Sequence, residues 1–171
     1  PKTVAEAAKI LKAEGPGAKL VAGGTDLIPN MKRRQQVPSV LIGLRKVEEL
    51  KTFSAGDGLT FGAGLSLTAV GEIAELPESQ RALRMAAGKV ATPHIRNMGT
   101  LGGNLLLDTR CNYYNQNHTW RAAIDYCKKA PGPDGVAVEE VQENGICWVA
   151  TGSKRCWAVS SSDTAPALVA L

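Results

Sequence analysis

"TPHIRNMGTLGGN", Thr92 to Asn104, closes on a paired glycine bracketed by two side chains that can hydrogen-bond, Thr100 and Asn104. Glycine tolerates positive φ and lets the backbone approach a ligand closely, so that successive N–H groups can be turned toward one anion. A second stretch of this kind, "VAGGTDLI" at Val21 to Ile28, places two glycines and a threonine directly after a short apolar run with the look of a buried strand. A tight turn without a ligand would read the same way in either place, and neither stretch matches the Walker loop or the dinucleotide G-x-G-x-x-G pattern. Two such loops in one small domain are more telling, because together they could grip a diphosphate and a ribityl chain from two sides.

Around these loops the periodicity predicts an α+β chain. "VAEAAKILK" from Val4 has apolar residues at helical spacing and is stopped by "EGPG" at Glu14 to Gly17. "AKLVAGG", "PSVLIGL" from Pro38 and "GLTFGAGLSL" from Gly58 read as short strands, with Pro38 tolerated at a strand's first position. "TAVGEIAEL" and "PESQRALRMAAGKVA" read as helices, with Pro77 at a first helical position. From Asp108 to about Arg155 the composition changes to Asn, Gly, Tyr, Trp and Cys with no long period, the mark of an insertion held by something other than a core. The start at Pro1 and the apolar end "TAPALVAL" suggest a piece of a longer polypeptide.

Composition excludes several classes. The 171 residues are 44% hydrophobic and 21% charged, ordinary for a folded soluble domain. No run of eighteen apolar residues and no leader-like segment is present, so a cytoplasmic home is the expectation, with no membrane partner. The net charge of +4 is small, and its densest run, Lys32 to Arg34, lacks interleaved aromatics and reads as a solvated face, so no nucleic-acid partner is expected.

All four cysteines, Cys111, Cys127, Cys147 and Cys156, fall in the inserted stretch. In a reducing compartment a local set of four thiols points to metal more than to disulfides. Fifteen, nineteen and eight residues separate them, without a C-x-x-C knuckle. That spacing leaves a zinc site, an iron–sulfur site and unligated thiols all open. Arg110, Lys128, Lys129, Lys154 and Arg155 flank them in sequence; such cations either favour thiolates or are ordinary solvated charges. His94 and His118 read as structural histidines, and Tyr113, Tyr114, Trp120 and Trp148 as packing around the cysteine loop.

"AGGTDL", then "IRNMGTLGGN", then "SDTAPAL" at Ser162 to Leu168 resemble, in combination and over essentially the whole chain, the FAD-binding subunit or domain of the molybdenum hydroxylases, the family of xanthine dehydrogenase. The resemblance implies the PCMH-like FAD-binding fold, with two small α/β subdomains, 1–57 and 58–171, and an iron–sulfur loop inserted at 108–157. It implies that Ala22, Gly23, Gly24, Thr25, Asp26 and Leu27 cradle the FAD pyrophosphate through backbone amides. Gly99, Thr100, Gly103 and Asn104 are then expected at the cofactor, and Asp163 on the flavin's sugar-alcohol chain.

Nearly sixty residues separate Asn104 from Ser162 here, where most of the family has a short link. "LDTRCNYYNQ", the step to "YCKK" and a last cysteine just before "SSDTAPAL" resemble the 4-hydroxybenzoyl-CoA reductase β subunits, in which the loop carries an extra 4Fe–4S cluster. By that resemblance Cys111, Cys127, Cys147 and Cys156 are cluster ligands. The partners it implies are a molybdopterin-containing large subunit, a small 2Fe–2S subunit and a ferredoxin-like donor. The segment between Cys127 and Cys147 is longer than the subfamily suggests, and its Pro and Gly content predicts a surface excursion. No catalytic acid, base or nucleophile is visible, which leaves the chain to bind and tune its cofactors.

Overall fold

A computed structural model describes residues 1–130, 132 and 145–170. Most of the Pro- and Gly-rich excursion between Cys127 and Cys147 therefore lies outside the described residues. The chain forms two compact units, one of Pro1–Asp26, Pro38–Leu107 and Ser162–Leu171, the other of Leu27–Val37 and Asp108–Ser161.

In the first unit, helix α1 (Val4–Glu14) starts where the Thr3 side chain accepts the Glu6 N–H and stops at Gly15, whose φ is 61°. Strands β1 (Ala18–Val21) and β2 (Val40–Gly43) pair in parallel, with Ala18 opposite Val40 and Val21 opposite Gly43. Ala7, Ala18 and Ile42 form a small core between α1 and this ladder. Strands β3 (Phe53–Ala55) and β4 (Leu59–Phe61) make a separate antiparallel hairpin whose Phe53 and Phe61 rings lie 5.2 Å apart. The strand expected from Gly58 to Leu67 thus ends at Phe61. Beyond it Gly62 and Gly64 donate to Thr52 and Leu50, which turns the chain away from the ladder. The expected subdomain boundary at 57/58 falls inside this hairpin.

The larger core of this unit is helical. Leu67 and Val70 of α3 (Leu67–Glu72) pack with Leu83 and Ala87 of α4 (Arg81–Lys89), with Val90 and with Leu101. Two short helices follow, α5 (Pro93–Met98) and α6 (Leu101–Leu105), capped by Thr92 and Thr100. Ala167 and Leu168 of the final helix, Ala165–Val169, pack against the same core.

Among its described residues the second unit has helix α2 (Leu27–Lys32), helix α7 (His118–Ala123) and turns. The final helix above is α8 in chain order. Reciprocal bonds between Arg110 and Val159, at 2.8 and 3.0 Å, close the neck of the cysteine segment. Residues 27–37 are built into this unit by side chains rather than by a ladder. Arg110 Nη1 donates to the Asn30 side-chain oxygen at 3.0 Å, Arg121 Nη2 donates to the Arg33 carbonyl at 2.6 Å, and Gln35 donates to the Tyr114 carbonyl. No helix among the described residues is long and apolar enough to cross a membrane.

Candidate functional site

The two glycine loops meet. A Cβ built on Gly23 would lie 1.9 Å from the Met98 carbonyl oxygen, and one on Gly99 would lie 3.3 Å from Thr25 Oγ1. Gly23 is therefore required by the approach of one loop's backbone to the other's, while Gly24, at φ 72°, is required by its own conformation. Ala22 to Asp26 run from the end of β1 to Leu27, the first residue of α2. The second loop is anchored in turn on residues 63–67. Leu67 N donates to Gly99 O, Leu101 N to Leu65 O and Gly102 N to Ala63 O, at 2.8 to 2.9 Å.

Within that second loop the residues expected at the cofactor also have roles in the fold. The Gly103 N–H is taken by Thr100 Oγ1 at 3.1 Å, as a helix cap, and so serves the fold. The glycine in close backbone contact is Gly102, where a Cβ would lie 2.7 Å from that of Ala63. Asn104 is buried, and its side-chain oxygen accepts from Ser162 Oγ (3.0 Å), Thr164 N (3.0 Å) and Thr164 Oγ1 (2.7 Å). Its amide nitrogen donates to Asp163 Oδ2 at 3.3 Å. Asn104 thus fastens the "SDT" segment to the second loop and leaves the Asp163 carboxylate exposed at the surface beside it. Ser162 and Thr164, which sequence reasoning passed over, carry that arrangement. A serine and a threonine flanking an aspartate give no periodic signal.

The four cysteines converge as well. Cys111, Cys127, Cys147 and Cys156 line one cavity together with Tyr113, Lys128, Lys129, Trp148, Val149 and Ala158. All four are free thiols. Each sulfur accepts peptide N–H groups. Tyr114 N reaches Cys111 Sγ and Ala158 N reaches Cys156 Sγ, both at 3.4 Å. Ala130 and Lys129 donate to Cys127, and Ala150, Trp157 and Val149 to Cys147. Such donors favour the charged form of the acceptor. Burial pushes the Cys127 thiol up, and its peptide donors offset only part of that. At Cys147 burial also acts upward, but the three peptide donors and the Lys128 ammonium outweigh it and hold the thiol below its ordinary value.

The surroundings sort the flanking residues. Lys129 Nζ pairs with Asp108 at 2.7 Å, and the Arg155 guanidinium lies 4.0 Å over the Trp157 ring. Lys128 is buried on the cavity wall. Tyr113 stacks on Trp148 with ring centres 6.4 Å apart and lies 6.3 Å from Trp120, packing as expected. His118 Nε2 sits 3.4 Å from Tyr126 Oη, engaged away from the thiols. Among the described residues no three His, Cys, Asp or Glu side chains lie close enough together to hold a single metal ion. A tetrahedral zinc with Zn–S near 2.3 Å would draw its sulfurs to within about 3.8 Å of one another.

Over residues 1–171 the chain matches the family described as the FAD binding domain in molybdopterin dehydrogenase. The chain belongs to that family. The expected resemblance to the FAD-binding domains of the molybdenum hydroxylases holds at the level of the family. It is 34% identical over 157 residues to the aldehyde oxidoreductase FAD-binding subunit PaoB of Escherichia coli strain K12, covering 90% of this chain and 46% of that one. It is 37% identical over 108 residues to the nicotinate dehydrogenase FAD-subunit of Eubacterium barkeri, covering 61% of this chain and 36% of that one. Reconstituted CO dehydrogenase from Oligotropha carboxidovorans shares its fold with a TM-score of 0.58 and 35% identity, over 61% of this chain and 37% of that one. The chain spans less than half the length of each of these relatives.

Proposed function

We propose that this chain is the electron-transferring flavoprotein part of a molybdenum-containing oxidoreductase and that it holds one 4Fe–4S cluster on Cys111, Cys127, Cys147 and Cys156. The observation that carries the reading is the convergence of these four cysteines on one cavity with peptide N–H groups directed at every sulfur. That donor set fits a polynuclear cluster, which binds each thiolate to a different iron and so spaces its ligands more widely than zinc does. A zinc-stapled interaction domain is the competing reading, distinguished by zinc in place of iron and labile sulfide.

When bound, the flavin and the cluster supply the redox chemistry. The residues of the chain bind and orient. Ala22 to Leu27 offer backbone amides to the pyrophosphate, with Gly24 setting the turn and Gly23 locking it against Met98. Gly99 and Thr100 support the second loop, and Asn104 presents Asp163 to a hydroxyl of the sugar-alcohol chain. Gly103 contributes through the Thr100 cap. In this reading 1–57 and 58–171 are the two halves of the flavin site and 108–157 the cluster loop. The intact enzyme adds a molybdopterin-containing large subunit, a small 2Fe–2S subunit and a ferredoxin-like redox partner, in the cytoplasm.

For the substrate, the wording "DTRCNYYNQ" supports reductive dehydroxylation of 4-hydroxybenzoyl-CoA in anaerobic aromatic degradation, with electrons flowing inward. A second reading, aldehyde oxidation with electrons flowing outward to the flavin, has its own support. The similarity to PaoB covers 90% of this chain and so must include cysteine-bearing sequence, while that to the nicotinate enzyme covers 61%. The aldehyde reading is the stronger of the two. The assembled enzyme decides between them anaerobically. Bleaching of the flavin bands by an aromatic aldehyde supports the aldehyde reading, reoxidation of reduced enzyme by 4-hydroxybenzoyl-CoA supports the other, and response to neither contradicts both.

A further inference from the structure

The four thiols that line the shared cavity are unequally covered. Cys127 and Cys147 are buried, at 6% and 5% exposure, and Cys111 is half-buried. Cys156 is exposed, as are Lys154, Arg155 and Trp157 around it. The hydrogen bonds run in the same order. Peptide N–H groups of Ala130 and Lys129 reach the Cys127 sulfur, and those of Ala150, Trp157 and Val149 reach Cys147. Cys111 stands in a turn closed by Asn115 N on its carbonyl oxygen at 2.9 Å and by Tyr114 N on its sulfur at 3.4 Å. The Cys156 sulfur accepts from Ala158 N at 3.4 Å. On either side of Cys156 the chain is fastened to one atom: Ser153 Oγ accepts the Arg155 N–H at 3.1 Å and the Trp157 indole N–H at 2.7 Å.

We infer that Cys156 is the detachable corner of the cluster, from which oxidation expels one iron and to which iron can return. The inference rests on the four-thiolate reading above, in which each cysteine binds a different iron. Oxidative attack on thiolate sites follows exposure, and here exposure singles out one corner of four. A diffusible one-electron oxidant takes one electron from a core of two ferrous and two ferric irons, which leaves one ferrous and three ferric. The bond from Cys156 to its iron breaks, together with that iron's bonds to sulfide, and the iron leaves as hydrated Fe(II). Three ferric irons and all four sulfides stay on Cys111, Cys127 and Cys147, and Cys156 is left as a free thiolate. Because Ser153 holds both of its neighbours, that thiolate stays in place when its iron has gone. A reductant and Fe(II) then rebuild the fourth corner, so the step is a reversible interruption of the electron path.

The test is made on anaerobically purified full-length protein treated with one equivalent of ferricyanide. Released iron is measured, electron paramagnetic resonance reports the three-iron core, and iodoacetamide applied before unfolding marks free thiols for peptide mass spectrometry. The expected result is loss of about one of four irons per chain, a three-iron signal and label on Cys156 alone. Dithionite with Fe(II) should restore the fourth iron in oxidised protein that was not alkylated, and should fail to do so once Cys156 is alkylated. Label that appears first on Cys111, Cys127 or Cys147, or equally on all four, would overturn the inference. So would alkylation of Cys156 in untreated protein that holds four irons, since the thiolate would not then be an iron ligand. Untreated protein lacking iron and sulfide would instead refute the four-thiolate reading itself, and this proposal with it.

Discussion

Gly23 faces the Met98 carbonyl so closely that a Cβ would lie 1.9 Å from its oxygen and 2.7 Å from its carbon. Gly24, its neighbour, has instead a φ of 72°. The two glycines fail for different reasons. Gly23→Ala must push two backbones apart and is expected to cost at least 1–3 kcal/mol, on the order of an overpacked core, with a lowered Tm even without ligand. Gly24→Val carries a left-handed strain of about 1–2 kcal/mol and is expected to leave a folded domain that has lost FAD. Stoichiometric FAD in folded Gly24→Val would contradict the pyrophosphate assignment. Asp26→Asn is expected to do much less, because the loop acts through its backbone.

Asn104 offers a second pair of variants. In Asn104→Ala the Ser162 and Thr164 donors lose their shared acceptor in a buried site, for a loss of roughly 3 kcal/mol. Asn104→Asp keeps that acceptor but sets a carboxylate against Asp163, so FAD affinity is expected to fall about tenfold, or 1.4 kcal/mol, with a smaller change in Tm. Equal FAD affinity in wild type and Asn104→Asp, measured by flavin fluorescence, would show that the Asp163 carboxylate does not face the cofactor.

Much of this was legible in the sequence because it is local. The glycine pairs, the stop at Gly15 and the helix caps are written into adjacent residues, and the two loops proved to touch. What was hidden depends on contacts distant in sequence. Ser162 and Thr164 converge on Asn104 from 58 and 60 positions away. Residues 27–37, grouped with the rest of 1–57 in the sequence reading, join the cysteine unit through Asn30, Arg33 and Gln35, none of which belongs to a periodic pattern. Both strands of the hairpin β3–β4 have only three residues; β4 was legible because apolar and small residues go on alternating beyond it to Leu67, whereas nothing extends the pattern of β3.

Excision gives a third prediction. Replacing Arg110 to Arg155 by a short Gly/Ser linker is expected to remove all iron while leaving a flavin-binding domain, since both glycine loops and Asp163 lie outside the replaced segment. Residues 27–37 lose their partners in that variant, so protease cleavage should begin there. A product that does not fold at all would make the cysteine loop part of the core.

Tyr114 predicts an alkaline signature. Burial, and then the nearby Asp108 carboxylate, raise its hydroxyl well above the ordinary tyrosine value of about 10. The unfolded chain therefore ionises first as pH rises. The stability tied to the neutral hydroxyl is fully present below about pH 10 and is lost on the way up to the folded value. Wild type should lose more stability than Tyr114→Phe between about pH 9 and 11 in urea titrations. Parallel losses would contradict the buried-hydroxyl account.

Iron, labile sulfide and zinc analysis of anaerobically purified protein, repeated on each single Cys→Ser variant, tests the central claim most directly. One 4Fe–4S cluster on Cys111, Cys127, Cys147 and Cys156 predicts about four iron and four sulfide per chain, with loss or decay in every variant, because serine is a harder and less acidic ligand than a thiolate. Unchanged iron in Cys147→Ser alone would mean that another ligand completes the site. One zinc per chain with no labile sulfide would contradict the electron-transfer account of the cysteine unit.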